Sequence, residues 1–269
     1  MAKEAILHRI DRWLGNLGSR EEGRKDKEEK KGESSETKVC SMAYTRAWQI
    51  ARAKRNQVLS RLALEDRDFM EASLPYDWKA HLSEICFFLK ELLADITGIG
   101  SKKISVCYAF QDLSQYSLTK ERWSWIFDEE PEHGQEEAAW MQEAAYRPGT
   151  MFYQTLHGSA PYKFVMDRSR TDQKIEYYPD QREFKYDNAG SAVYTKVNLE
   201  ENGKRYMAGI LMITTYEKSF LEADRECQEF GKTFEQVLEY SVLPYFRQLI
   251  QTEMGLLCVE NRKQSIERR

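Results

Sequence analysis

The sequence predicts an α+β fold: a central antiparallel sheet of five to six strands, N- and C-terminal helices on one face, and a further long helix ahead of them. Three observations lead there. Two long stretches with apolar residues at helical spacing bracket the domain. Between them the period falls to two. The last two strands meet at Asn-Gly in "ENGK", a strong two-residue hairpin signal, so neighbouring strands run antiparallel.

Along the chain, the opening "AILHRIDRWLGNLG" places Ile6, Ile10, Trp13, Leu14 and Leu17 on one helical face. It reads as a short amphipathic segment, 1–18, docked on its own domain or a neighbouring copy, or as a membrane-surface or partner-binding peptide. It has neither a long apolar core nor a small-residue cleavage site, so no secretory signal is expected. Residues 19–40 are charged or small and polar, a composition that cannot offset its ordering entropy, and are expected to be a solvated linker. A long helix is expected over 42–69 within a segment 41–72. Its Tyr44, Trp48, Ala51, Val58, Leu62 and Phe69 recur at three- and four-residue steps, either as an imperfect two-chain seam or as a face packed on the domain.

The domain is assigned to 73–262, with 263–269 a polar tail. "SLPYDW" breaks the chain, with Ser73 at the N-cap and Pro75 near the first turn of a helix over 77–95. Trp78, Leu82, Ile85, Cys86, Leu89, Leu92 and Leu93 form one broad apolar face, and the glycines at 98 and 100 end the helix. "KKISVCYAFQD" reads as a strand with Ile104, Val106, Tyr108 and Phe110 on one side, and "ERWSWIFD" as a second with Trp123 and Trp125 together. A short helix follows over 135–146, then "TMFYQTLHG" without an assigned element, and "PYKFVMD" as a strand. Residues 168–189 form a polar loop. The hairpin "SAVYTKVNLEENGKRYMAGILMITTY" leads into a helix over 222–261, which Pro244 should kink or divide.

The helix before "ISVCYAF", the stretch "GTMFYQTLHGSAPYKFVMD" and the hairpin with "SAVYTKVNLEENGKRYMAGILMITTYEKSF" together resemble a GAF domain over residues 76–250; PAS domains share the architecture. In that family the last hairpin reads as a small polar residue, an apolar strand, a turn, then Gly-apolar-apolar and a polar exit into the final helix. Gly209, Ile210 and Leu211 follow this order. Glycine there either lets a covering helix approach closely or admits a bulge. The resemblance implies a non-enzymatic regulatory module that binds a small molecule between the sheet and an irregular lid, or dimerises through its flanking helices. The pocket would lie between the central strands and residues 135–188. Candidate lining positions are Tyr108, Phe110, Trp123, Trp125, Tyr153, His157, Tyr162, Phe164, Arg168 and Tyr194, of which alternation lets about half of the strand residues face it. Each aromatic is equally suited to core packing.

His157 could bond a ligand or sit idle in a turn. Asp167, Arg168 and Arg170 could hold an anion or be exposed loop charge. No Cys-His dipeptide of bilin-binding relatives occurs, nor the Asn-Lys-Phe-Asp-Glu set of cyclic-nucleotide binders. Cys107 invites comparison with methionine-sulfoxide-reducing relatives, but no resolving cysteine is adjacent. Haem ligation by His157 is conceivable on one histidine out of four. No phosphate loop, nucleophile elbow or metal-binding helix motif is present, so no catalytic residue, metal or cofactor is assigned.

The 269 residues carry a net charge of −4 with both signs interspersed, which speaks against nucleic acid as a partner. Five widely spaced cysteines suggest reduced thiols and a cytoplasmic setting. No apolar run approaches the roughly 20 residues needed to cross a bilayer. The expected output runs through a homodimer, a protein partner, or a larger protein of which this chain is a fragment.

Overall fold

The computed structural model describes residues 35–65, 78–114, 122–128, 140–170, 175–177, 190–201, 203–229 and 231–267. The amphipathic segment 1–18, most of the linker, the break with Ser73 and Pro75, the start of the helix expected at 135, most of the 168–189 loop and the tip of the tail lie outside the described residues.

Six antiparallel strands form one sheet in the order β2-β1-β6-β4-β3, with β5 also on β6. They are β1 (Ile104–Asp112), β2 (Ser124–Phe127), β3 (Tyr162–Val165), β4 (Ala192–Lys196), β5 (Leu199–Glu201) and β6 (Lys204–Thr215). β6 lies at the centre because its run from Met207 onward is apolar or small on both faces, and those residues are buried. One face carries Ile104, Val106, Tyr108 and Phe110 of β1 and Met207, Leu211 and Ile213 of β6. The other carries Cys107, Ala109, Ala208, Ile210, Met212 and Tyr194. The expected alternation of β1 is thus observed.

The first face is roofed by helices from both ends of the domain. In α2 (Trp78–Thr97), Leu82, Leu89, Leu92 and Leu93 are fully buried; each contributes on the order of 1.5–3 kcal/mol. The C-terminal segment, read as one helix over 222–261, is divided into α4 (Leu221–Gln228), α5 (Phe234–Val237), a π-turn (Leu238–Val242) and α6 (Leu243–Glu267). The first division falls at Gly231, whose φ of +74 suits glycine, and Thr233 with Gln236 restarts the helix through a capping box. The second falls where Pro244 was expected to act. Ahead of it the chain widens, and the Leu243 N–H donates to the Leu238 carbonyl, five residues back.

Over 42–65 the expected helix is α1 (Ser35–Glu65), which begins inside the stretch read as linker; 66–69, with Phe69, lie outside the described residues. Among its described side chains, those buried are Cys40, Ala43, Ala47, Ile50 and Ala51. Tyr44 and Trp48, placed on the seam from spacing, are only partly buried; Arg52 lies 4.9 Å from the Trp48 ring centroid. Small residues win the interface because they let α1 lie close to α2 and α6. Tyr44 instead meets Tyr245 edge-on at 6.1 Å.

Gly209 answers to a different neighbour from the one expected. A side chain there would place its Cβ 2.2 Å from the Tyr108 hydroxyl oxygen. Tyr108, fully buried, crosses β6 at this glycine and donates its hydroxyl to the Val197 carbonyl at 3.0 Å. The hairpin strand is interrupted at the same level. Between β4 and β5, Val197 bonds Gly209 O, and the Gly209 N–H donates to the Asn198 side-chain oxygen at 3.1 Å. Of the two roles expected, neither is met as stated: the register shift of the neighbouring strand falls between Leu199 and Glu200, and the group that approaches Gly209 is a tyrosine of the adjacent strand rather than a helix.

Gly209→Ala should therefore lower stability by about 1–3 kcal/mol in chemical denaturation with an unchanged far-UV spectrum, as for overpacking. Tyr108→Phe removes only the bond to Val197 and should cost about 1–3 kcal/mol for the acceptor left buried.

Candidate functional site

On the second face, the sheet is covered by residues 140–146 and by α3 (Met151–His157), a helix in the stretch that sequence reading left unassigned. Its start is fixed by Thr150, whose hydroxyl oxygen accepts from the Tyr153 N–H at 3.0 Å and donates to Ala144 O at 2.7 Å. The signal was present, since Thr150 precedes Met151 and Phe152, but seven residues are too few for a periodicity argument. Glu176 straps the unit from outside: its N–H donates to Gly149 O (3.0 Å), its carbonyl accepts from Met151 N (2.9 Å), and its carboxylate meets Arg147 at 2.9 Å. Gln142 holds the entry to β2, accepting from Trp123 N at 3.3 Å and donating to Trp123 O at 3.1 Å.

Beneath this cover, Phe152 lies 4.9 Å from Trp123 and 5.4 Å from Trp125, and Trp125 lies 6.0 Å from Trp140. Tyr194 is fully buried on the same face. The described part is an aromatic chamber filled by its own rings. Trp125 sits at its less buried margin.

Of the ten candidate positions, Trp123, Trp125 and Tyr194 meet α3 here, and the strand candidates divide between the two faces of the sheet. Tyr108, Phe110 and Phe164 lie across the sheet in the helix-roofed core, Phe110 against Trp78 (5.6 Å) and Phe164 against Phe220 (6.3 Å). A period of two sends alternate side chains to opposite faces, and the sheet then separates them. Tyr153 and His157 share α3 with ring centroids 4.2 Å apart, and His157 is exposed. Tyr162 sits at the rim of the other face, where partial burial, followed by the charge of the Glu235 carboxylate, pushes its hydroxyl above the usual tyrosine range.

Arg168 is neither exposed loop charge nor turned to solvent. It is buried, donates to the Thr215 carbonyl at 2.8 Å, and lies 5.3 Å and 5.0 Å from the Tyr177 and Tyr216 ring centroids. It ties the exit of β3 to the end of β6. Asp167 accepts from the Ser169 N–H and hydroxyl; the Arg170 side chain lies outside the described residues. Cys107 is 2% exposed and lies on the α3 face of the sheet, beside Ala109.

Two buried ion pairs went unrecognised. Lys90 and Asp128 meet at 3.1 Å with side chains 1% and 2% exposed, joining α2 to the end of β2. Burial first, and the nearby Asp128 second, push the adjacent Cys86 thiol well above the ordinary range. Lys54 of α1 pairs with Glu253 of α6, and burial pulls its ammonium below the usual lysine range despite that partner. The available signal was positional: Lys90 lies four residues after Cys86 and eight after Leu82, on the buried face. Among the described residues, no cluster of metal-ligating side chains occurs and no helix is long and apolar enough to cross a membrane.

Asp128→Ala should cost about 3–5 kcal/mol, because the enclosed Lys90 loses its carboxylate, whereas Lys90→Met with Asp128→Leu should recover most of it. Denaturant midpoints of the single and double variants check this. An equally unstable double variant would assign the pair a packing role that methionine and leucine cannot fill.

No family model matches this chain, and no curated protein matches it in sequence.

Proposed function

We propose that the chain is a GAF-like, non-enzymatic sensory or regulatory module that takes a small apolar or aromatic molecule at the Trp123, Trp125 and Phe152 chamber and signals through its flanking helices. The supporting observation is layering. α2 and α6 cover one face of the sheet, the chamber lies on the other, and α1 lies on the helices through Cys40, Ala43, Ala47 and Ile50. A ring displaced in the chamber presses on Ala109, Ile210 and Met212, whose strand neighbours carry the helices. The module then acts by shifting the population of docked α1, with a second copy or a partner protein receiving the change.

A second reading, a protein-interaction or dimerisation module without a small ligand, is favoured by one observation: the described chamber is filled by its own rings. Native mass spectrometry of protein purified from its own host separates the two. The sensory reading expects a retained small molecule that Trp125→Ala releases from a folded chain. It also expects Ala47→Asp, which places a carboxylate in the α1 interface, to keep the molecule while altering stoichiometry or partner capture. A bare chain mass in all preparations, with stoichiometry still changed by Ala47→Asp, would replace it with the interaction module.

A further inference from the structure

The two edges of the sheet are finished differently. On β2 the hydrogen bond from Asp128 N to Val106 O (3.0 Å) sets the phase, so Trp123, Trp125 and Phe127 point their backbone groups outward. Side chains close this edge: Gln142 takes both groups of Trp123, and Ser83 donates to Phe127 O at 2.5 Å. On β3 the bond from Lys196 N to Pro161 O (2.8 Å) sets the phase, so Tyr162 and Phe164 point theirs outward. β3 is the last strand, and among the described residues no hydrogen bond reaches those outward groups. Neither residue is fully buried. An open edge of this kind is a template for another strand.

Its two flanks differ in charge. On the helix face the Glu235 carboxylate sits beside Tyr162, and Tyr240 is 75% exposed. Glu239 is already paired with Arg247, whereas Glu235 has no cationic partner among the described residues. On the α3 face Lys163 donates to the Gln154 amide and has no carboxylate partner among the described residues. An added strand sends adjacent side chains to opposite faces, so one would meet Glu235 and Tyr240 and the next would meet Lys163.

We infer that the β3 edge docks an extended peptide of a partner protein, which adds as a further strand and carries a cation and a carboxylate on adjacent residues. This goes beyond the sensory reading, since it requires neither a small molecule nor movement of α1. The four-residue edge makes the interaction weak, with a dissociation constant on the order of 100 μM.

Fluorescence anisotropy of the full chain with labelled Thr-Val-Thr-Lys-Glu-Val-Thr tests it. Binding should saturate, and N-methylation of one set of alternate amides should abolish it while the other set is tolerated. An isomer with a threonine between lysine and glutamate puts both charges on one face and should bind at least about fivefold more weakly. Glu235→Lys should weaken the parent peptide by a similar factor and favour a Glu-Glu version. Equal binding of both methylated peptides, or indifference to Glu235→Lys, overturns the inference. Loss of peptide binding in step with self-association of the chain also overturns it, and assigns the edge to a second copy.

Discussion

The architecture depends on Tyr108 lying across Gly209. Its ring reaches from β1 over β6, and its hydroxyl ends on Val197 beyond β4, so one side chain spans three neighbouring strands. Register follows from it, since a slip by one residue would bring Ala208 or Ile210 beneath the ring. Face assignment follows from register: with Phe110 opposite Gly209, the other large residues of β1 are committed to the helix side and Cys107 and Ala109 to the chamber side. The Tyr108 ring also stacks on Phe110 at 5.6 Å, filling what the glycine leaves open.

From that sheet the layers follow by size. The helix side receives bulky strand residues and is met by leucine-rich α2 and by α6. α1 then lies outermost on alanines, a contact that buries little apolar area per residue. Its fixed point is the Lys54 and Glu253 pair, in which desolvation outweighs attraction for the lysine. Such a contact specifies where α1 sits more than it stabilises it. An outer helix whose described contacts are mostly small side chains suits the signal proposed to pass through it.

Periodicity made the central layers legible: β1, β6 and α2 were readable because their patterns run for nine residues or more. Short strands were readable from their apolar runs and the hairpin turn, and Pro244 marked one division of the C-terminal helix; α3, which rests on one capping threonine, and the division at Gly231 were not readable. On α1 the spacing placed Tyr44 and Trp48 on the seam beside Ala51, because large apolar side chains dominate any spacing count, while among the described side chains close helix contact buries Ala51 with Ala43 and Ala47 and leaves the two aromatics half-buried. The candidate site suffered from the same bias. Aromatic residues near the expected lid were grouped by sequence region, yet a sheet separates neighbours in sequence as effectively as it joins strangers.

The unequal treatment of the two edges bears on what kind of molecule this is. β2 is closed by side chains from α2 and from the 140–146 segment, elements that also build the core, so its protection comes with folding. β3 had equally near candidates: Gln154 is on α3, and Glu235 is on α5. Both carry groups able to reach a strand, yet Gln154 is turned to Lys163 and Glu235 to Tyr162. The polar groups beside β3 therefore face its side chains, and among the described residues its outward backbone groups carry no hydrogen bond. An edge with available cappers that point elsewhere differs physically from an edge that merely lacks them. It keeps its hydrogen-bonding capacity while surrounding it with charges of opposite sign on opposite faces, a pattern that rejects flat, uniformly apolar strands and selects for an alternating one.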